Sequence, residues 1–324
     1  MANEIVEAKV AARIPRIACG VFSNELLVAW FRFAGVKPKS QVTYLGVLKQ
    51  LFTFFAAHNI ARPVRADLED WIQTLKDTKK SPATINLYVS VMKIFFRWLA
   101  QEGHYANIAD HLKGAKDSDD PKKTPLSPTE AAKLFSAIKG DTLIAKRNRA
   151  IVALMLSTGV RTIEIERAKV KNLVEVSGVR FLAVWGKGRD GFDKRVRIAP
   201  QVGKLIDEYL AARGKVDGDA PLFVSESRSN RGQALSTQTI RKMVKKLLRE
   251  TVITDPKTDR NFSAHALRAT AAITMLRSGA SLLNVQQALR HVNVGTTQRY
   301  LRALERLEND AEIRAANAIF GDTI

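Results

Sequence analysis

Cysteine is almost absent from this 324-residue sequence, and the single Cys19 excludes an intramolecular disulfide and any cysteine-rich metal site. That scarcity suits a reducing compartment, so a cytoplasmic location is the expectation. No apolar run approaches the ~18 residues that suggest a membrane span, and the opening MANEIVEAKV lacks the apolar stretch of a secretory signal. Acidic residues are in deficit: 32 Asp and Glu stand against 52 Lys and Arg, a net charge of +20 and a pI near 10.2. Such a surplus draws a polyanion, nucleic acid first. Ribosomal, nucleoid and membrane-surface proteins share it, and charge by itself specifies no chemistry.

What is present describes a folded chain. Hydrophobic residues make up 46% and charged residues 26%, unlike a disordered protein. A single core seldom grows past roughly 250 residues, which makes two domains the expectation. From Phe22 to about Gly103 apolar residues recur at spacings of three and four, as in Val47, Leu48, Leu51, Phe54 and Phe55, and predict four helices. Asp67 is a candidate cap for LEDWIQTL; Ser81 and Pro82 supply a cap and a first-turn proline for the helix that Gly103 ends. The stretch Lys113 to Pro128 is poor in apolar residues and contains three prolines, which marks a solvated connection. Its end, Ser127-Pro128-Thr129-Glu130, is a capping box that starts a new helix.

Beyond it, Arg147 to Ser157 reads as a buried helix. Val179 to Trp185 and Lys194 to Ile198 read as strands around a Gly-rich turn, and helical patterns return from Gln201. The division is an extension over 1–21, a helical domain over 22–113, a linker over 114–126 and a second domain over 127–324. The fold class is mainly α (α+β): a helical first domain, then a mostly helical domain with a small antiparallel sheet.

Four short segments of the second domain carry chemistry. In Ser157-Thr158-Gly159-Val160-Arg161-Thr162-Ile163-Glu164 an apolar helix stops at a glycine and restarts with Arg161, which Glu164, three residues on, can orient. Lys187 stands in Trp185-Gly186-Lys187-Gly188 at a hairpin tip. His265 and Arg268 share a helix face in His265-Ala266-Leu267-Arg268; the guanidinium offers a fork for phosphate oxygens and the imidazole can move a proton. His291 and Tyr300 are separated by a Gly-containing turn. Taken singly, Arg-x-x-Glu is most often a surface ion pair, Gly-Lys-Gly a solvated turn and a lone Tyr a half-buried core residue. Taken together, they supply the nucleophile, the charge stabilisers and the leaving-group acid of phosphoryl transfer through a covalent intermediate.

The ordered set TGVR-TIE, GKG, HALR, RH and RY resembles the signature of the tyrosine recombinase, or phage integrase, family, with Xer-like members. The likeness covers the chain past the linker, and the first domain is similar to that family's core-binding, SAM-like DNA-binding domain. The resemblance implies a site-specific DNA recombinase that cleaves and rejoins strands through a 3′-phosphotyrosyl link. Tyr300 would be the nucleophile and Arg161 and Arg268 the clamp on the non-bridging oxygens. Lys187 would be the leaving-group acid, His265 the proton carrier and His291 a hydrogen-bond donor, with Glu164 supporting Arg161. It implies no cofactor and no metal. The partners implied are double-stranded DNA sites and a homotetramer on DNA, monomer or dimer when free, with room for accessory DNA-bending or directionality factors and no membrane.

Two departures stand out: Ala269 follows Arg268 where the family often has His, and Arg290 precedes His291 where Gly is usual. The hairpin after Gly188 is also long, which makes Lys194 the nearest substitute for Lys187. A non-catalytic DNA-binding regulator and a type IB topoisomerase-like enzyme are the competing readings. About twenty residues precede the first core helix, little room for an arm-binding domain; chromosome-dimer resolution, transposon or plasmid recombination and compact phage integration stay open. Leu304, Leu307, Ala311, Ala315 and Ile319 form an apolar stripe that docks on a neighbouring protomer or on its own domain. Helix 81–102 and the basic run Arg241, Lys242, Lys245 and Lys246 are candidates for groove contact.

Overall fold

A computed structural model of the chain describes residues 21–33, 38–116, 125–185, 191, 194–251 and 263–321. The fold parts into two compact units, Met1–Ser118 and Asp119–Ile324, and the division falls within the proline-containing stretch noted above.

The first unit is helical: α1 (Asn24–Phe33), α2 (Pro38–Ala57), α3 (Arg65–Asp77) and α4 (Pro82–Gln101). α4 begins because the Ser81 side chain accepts from the Thr84 N–H and Pro82 presets the first turn. It ends two residues before Gly103, which adopts φ +71°. Ile85, Tyr88, Met92, Phe95 and Leu99 lie on its buried stripe, which packs with Phe22, Trp30 and Phe52 into one aromatic-rich core. Phe22 stacks on Phe52 with centroids 5.3 Å apart. Asp67 is not the cap of α3: the helix starts at Arg65, and Asp67 is its third residue, reaching back to accept from the Val64 N–H at 2.6 Å. The sequence signal lay in the right turn but in the other half of the capping box.

The second unit opens with α5 (Pro128–Ser136), capped reciprocally by Ser127 and Glu130. α6 (Leu143–Thr158) ends in a left-handed Gly159, and α7 (Thr162–Arg167) follows. A three-stranded antiparallel sheet comes next in the order β1 (Leu173–Val176), β2 (Val179–Val184), β3 (Lys194–Arg197). β1 escaped sequence reading because four residues, two of them exposed, carry too little alternation. Ser177 and Gly178, both at positive φ, close its hairpin with β2. The remaining helices are α8 (Pro200–Arg213), α9 (Thr237–Thr251), α10 (Ala264–Arg277), α11 (Leu282–Leu289), α12 (Val294–Glu308) and α13 (Ala311–Phe320).

α10 is the axis of this unit. Every residue from Ala266 to Ile273 is buried, so the helix is enclosed on all faces, with α6 on one side and α12 on another. Its many alanines permit that close approach, and the one buried hydroxyl, Thr270, donates to the Ala266 carbonyl and accepts from the Leu126 N–H at 2.8 Å. The chain entering the unit is thereby tied to its central helix. Thr270→Val keeps the shape but orphans a buried N–H, and should lower unfolding stability by about 1–3 kcal/mol in urea titration of the full chain.

Candidate active site

The site is assembled where α6 and α11 end against α10. Gly159 turns the chain at φ +62°, and a Cβ there would meet Leu289 Cδ2 at 2.5 Å and Arg268 Cγ at 3.3 Å. Only glycine fits both the conformation and the space. Val160 is then buried, and Arg161 takes the position before α7. The Arg161 N–H donates to Glu164 Oε2 at 2.7 Å and its Nη1 to Glu164 Oε1 at 3.0 Å. One carboxylate thus starts the helix and aims the guanidinium, which keeps 31% of its side-chain surface.

Arg268 is 2% exposed. Its Nη1 donates to the Gly159 carbonyl at the end of α6, and its Nη2 to the Leu289 carbonyl at the end of α11. Both carbonyls lie at helix C-termini, where the peptide dipoles favour a cation. Burial first, then the charges of Arg161 and Arg290, lower Arg268 to about 9, opposed by Glu164. It is a cation at neutral pH even so.

Arg161, Lys194, His265, Arg268, His291 and Tyr300 line one cleft of about 840 Å³, with Glu164 and Arg290 in its wall. His265 is exposed in the first turn of α10, and Arg268 lies one turn on. His291 follows the left-handed end of α11; its Nδ1 lies 2.8 Å from the hydroxyl of the fully buried Thr297. The His291 ring stacks on Tyr300 with centroids 6.3 Å apart and planes 17° off parallel. Burial, then Arg268, Arg161 and Arg290, push His291 down to about 3, so it is a neutral hydrogen-bonding group at physiological pH. Burial raises Tyr300 above the ordinary phenol value, against the pull of Arg268 and Arg161. Lys187 lies outside the described residues; Lys194, at the start of β3, reaches the cleft.

Two members of this arrangement carry no role in the sequence reading. Thr297 has a signal only in its distance of three residues, one helical turn, from Tyr300. Arg290 was visible as a departure from glycine; its side chain is 5% exposed and pairs with Glu164 at 2.9 Å. Burial would raise Glu164, but Arg290 and Arg161 override it and hold the carboxyl below its ordinary range.

Elsewhere in this unit, α9 buries Ile240, Val244 and Leu248 and exposes Arg241, Lys242, Lys245 and Lys246. Leu304 packs beneath Tyr300 in the core of its own chain, whereas α13 buries nothing and exposes Ile313, Ile319 and Phe320. The chain turns between α12 and α13 at Asn309 and Asp310, which divides the stripe. Leu307's side chain lies outside the described residues. Among the described residues no helix is long and apolar enough to cross a membrane.

Comparison with known proteins points one way. The family model described as "Phage integrase family" matches residues 125–306, and "Phage integrase, N-terminal SAM-like domain" matches residues 25–104. Tyrosine recombinase XerC of Rhodospirillum centenum is 30% identical over 300 residues, 87% of this chain and 84% of that protein. Tyrosine recombinase XerA of Pyrococcus furiosus is 27% identical over 297 residues, 90% and 94% of the two chains. Among solved structures, the XerH site-specific recombinase bound to palindromic difH substrate in a post-cleavage complex aligns with a TM-score of 0.70 at 19% identity. That alignment covers 97% of this chain and 94% of the other. The Tn1549 transposon integrase in complex with transposon right end DNA aligns at 0.66 with 18% identity, over 88% and 99%. At those identities the structural likeness shows the fold.

Two outcomes follow from the geometry. Gly159→Ala should lose about 1–2 kcal/mol of unfolding stability through left-handed strain and crowding of Leu289. The placement of Arg268 should suffer with it, because the Gly159 carbonyl anchors that guanidinium. For His291, the unfolded chain takes up a proton below about 6.5, the ordinary value, while the folded chain resists until about 3. Its contribution is therefore intact above pH 6.5 and lost as pH falls toward 3. Thermal unfolding of the wild type should decline more steeply over that window than that of His291→Gln.

Proposed function

The chain belongs to the phage integrase family of tyrosine recombinases, and from that premise we propose that Tyr300 is the nucleophile with which it cuts and rejoins double-stranded DNA at specific sites. The Tyr300 hydroxyl attacks the scissile phosphorus; as that bond forms, the bond to the 5′-oxygen breaks. A 3′-phosphotyrosyl link and a free 5′-hydroxyl result, and attack on the link by the 5′-hydroxyl of a second duplex reverses the step and completes exchange. One phosphodiester is traded for another at each step, so the reaction draws on no nucleotide energy source.

The observation that carries this reading is the convergence of Tyr300 with two guanidiniums, Arg161 and Arg268, on a single cleft. Those cations hold the non-bridging oxygens, where charge accumulates in the transition state. Neutral His291 donates a hydrogen bond to the same phosphate, and exposed His265 relays the phenol proton. Protonation of the departing 5′-oxygen falls to Lys187, with Lys194 lining the cleft as the substitute. The basic face of α9 tracks phosphates, in register with bases that set the site. The exposed side chains of Ile313 and Ile319 on α13 support docking on a neighbouring protomer and a homotetramer on DNA, acting in the cytoplasm.

The test is incubation with randomised duplexes followed by denaturing gel electrophoresis. A slowly migrating protein–DNA adduct is the expected product, and its DNA defines a preferred site. Tyr300→Phe should abolish the adduct while still retarding DNA under native conditions, and Arg161→Ala should slow adduct formation by about 10²–10³-fold. Native retardation without adduct in the wild type would identify a regulator instead.

A further inference from the structure

Arg290 occupies a place that backbone chemistry reserves for glycine. It terminates α11 in the left-handed region, at φ +58°, a conformation that strains any residue with a Cβ. Glycine would end the helix without that strain. The side chain is nonetheless buried, and two of its nitrogens are directed at Glu164, the carboxylate that orients Arg161. Its Nη2 donates to Glu164 Oε2 at 2.9 Å, its Nε approaches Glu164 Oε1 at 3.5 Å, and its Nη1 donates to the Ala288 carbonyl.

Glu164 is shared, because the same two oxygens receive the backbone N–H and the Nη1 of Arg161. A carboxylate 1% exposed, set behind a site for a phosphodiester, has two unfavourable effects when it stands alone. It draws Arg161 away from the incoming anion, and it repels that anion through a medium that screens poorly. A second guanidinium on the same two oxygens offsets both. It also joins the turn that carries His291 to the turn that carries Arg161, 126 residues apart in the chain.

We propose that Arg290 is a positioning residue for strand cleavage: by neutralising Glu164 from the His291 side, it leaves Arg161 free to hold a non-bridging oxygen of the scissile phosphate. This rests on the phosphate reading of the cleft given above. Arg290 need not touch DNA. Burial and then the neighbouring guanidiniums lower Arg268 and Arg290 from the ordinary arginine value, and Glu164 opposes the shift in both.

The test uses the full chain and the duplex enriched by its own covalent adduct, made with either a normal phosphate or a neutral methylphosphonate at the cleaved position. Arg290→Gly relieves the backbone and should keep DNA affinity within about three-fold, yet slow adduct formation at saturating protein by about ten-fold or more. On the methylphosphonate, where there is less charge to hold, the loss should shrink. It should shrink again in a Glu164→Gln background, since the harm comes from the uncompensated carboxylate. Should Arg290→Gly fail to fold, Arg290→Lys, which keeps charge, and Arg290→Met, which keeps bulk, provide the comparison: Lys should retain more of the rate than Met. The assignment is overturned by a folded Arg290→Gly that cleaves at the wild-type rate. An equal loss on both substrates and in both Glu164 backgrounds overturns it too, as does Met matching Lys. A wild type without Tyr300-dependent adduct removes the phosphate reading itself; an adduct indifferent to Arg290 removes this proposal alone.

Discussion

A guanidinium closed off from water must find fixed partners, and in the second unit Arg268 finds them in the last carbonyls of two helices. Gly159 ends α6 and Leu289 ends α11, and both present oxygens to the same side chain. Helix C-termini carry unsatisfied carbonyls and a negative dipole end, so the cation and the two termini stabilise one another. The residues that follow those termini, Val160-Arg161 after one and Arg290-His291 after the other, are delivered to the same cleft as a consequence. Remove the guanidinium and two chain turns lose the point on which they meet.

The electrostatics of the cleft follow from this crowding. Arg161 and Arg290 both pair with Glu164, and Arg268 feels the charge of all three. The positive surplus suits a phosphodiester, and burial first, with that surplus added, holds His291 neutral. Neutral imidazole can donate one hydrogen bond without adding charge, and the Thr297 hydroxyl at its Nδ1 orients the ring. Tyr300 experiences the opposed effects of burial and neighbouring cations; a bound phosphate would alter that balance at the moment of reaction.

Much of this was legible in the chain itself. Ser81 and Ser127 are helix caps that need nothing beyond their own neighbours, and the 3–4 spacing of Val47, Leu48, Leu51 and Phe55 names the buried face of α2 before any partner is known. The candidate site was legible because its members stand in a few short segments in a fixed order along the chain. The misses have physical causes. β1 is too short to alternate, Asp67 acts from the third position of its helix instead of the cap, and one C-terminal stripe proved to be two helices with different surroundings.

The local code of the sequence thus marked helix starts such as those at Ser81 and Ser127, and supplied the side-chain types that the candidate site brings together. These depend on contacts within a few residues, or on side-chain identity alone. Only the tertiary structure decided that Glu164 is shared by two arginines, that Arg268 is buried against two helix ends, and that Thr297 faces His291. Such contacts join residues as far as 126 positions apart, and no periodicity or spacing encodes them. They arise when packing of α10 against α6 and α12 brings separate turns to one point.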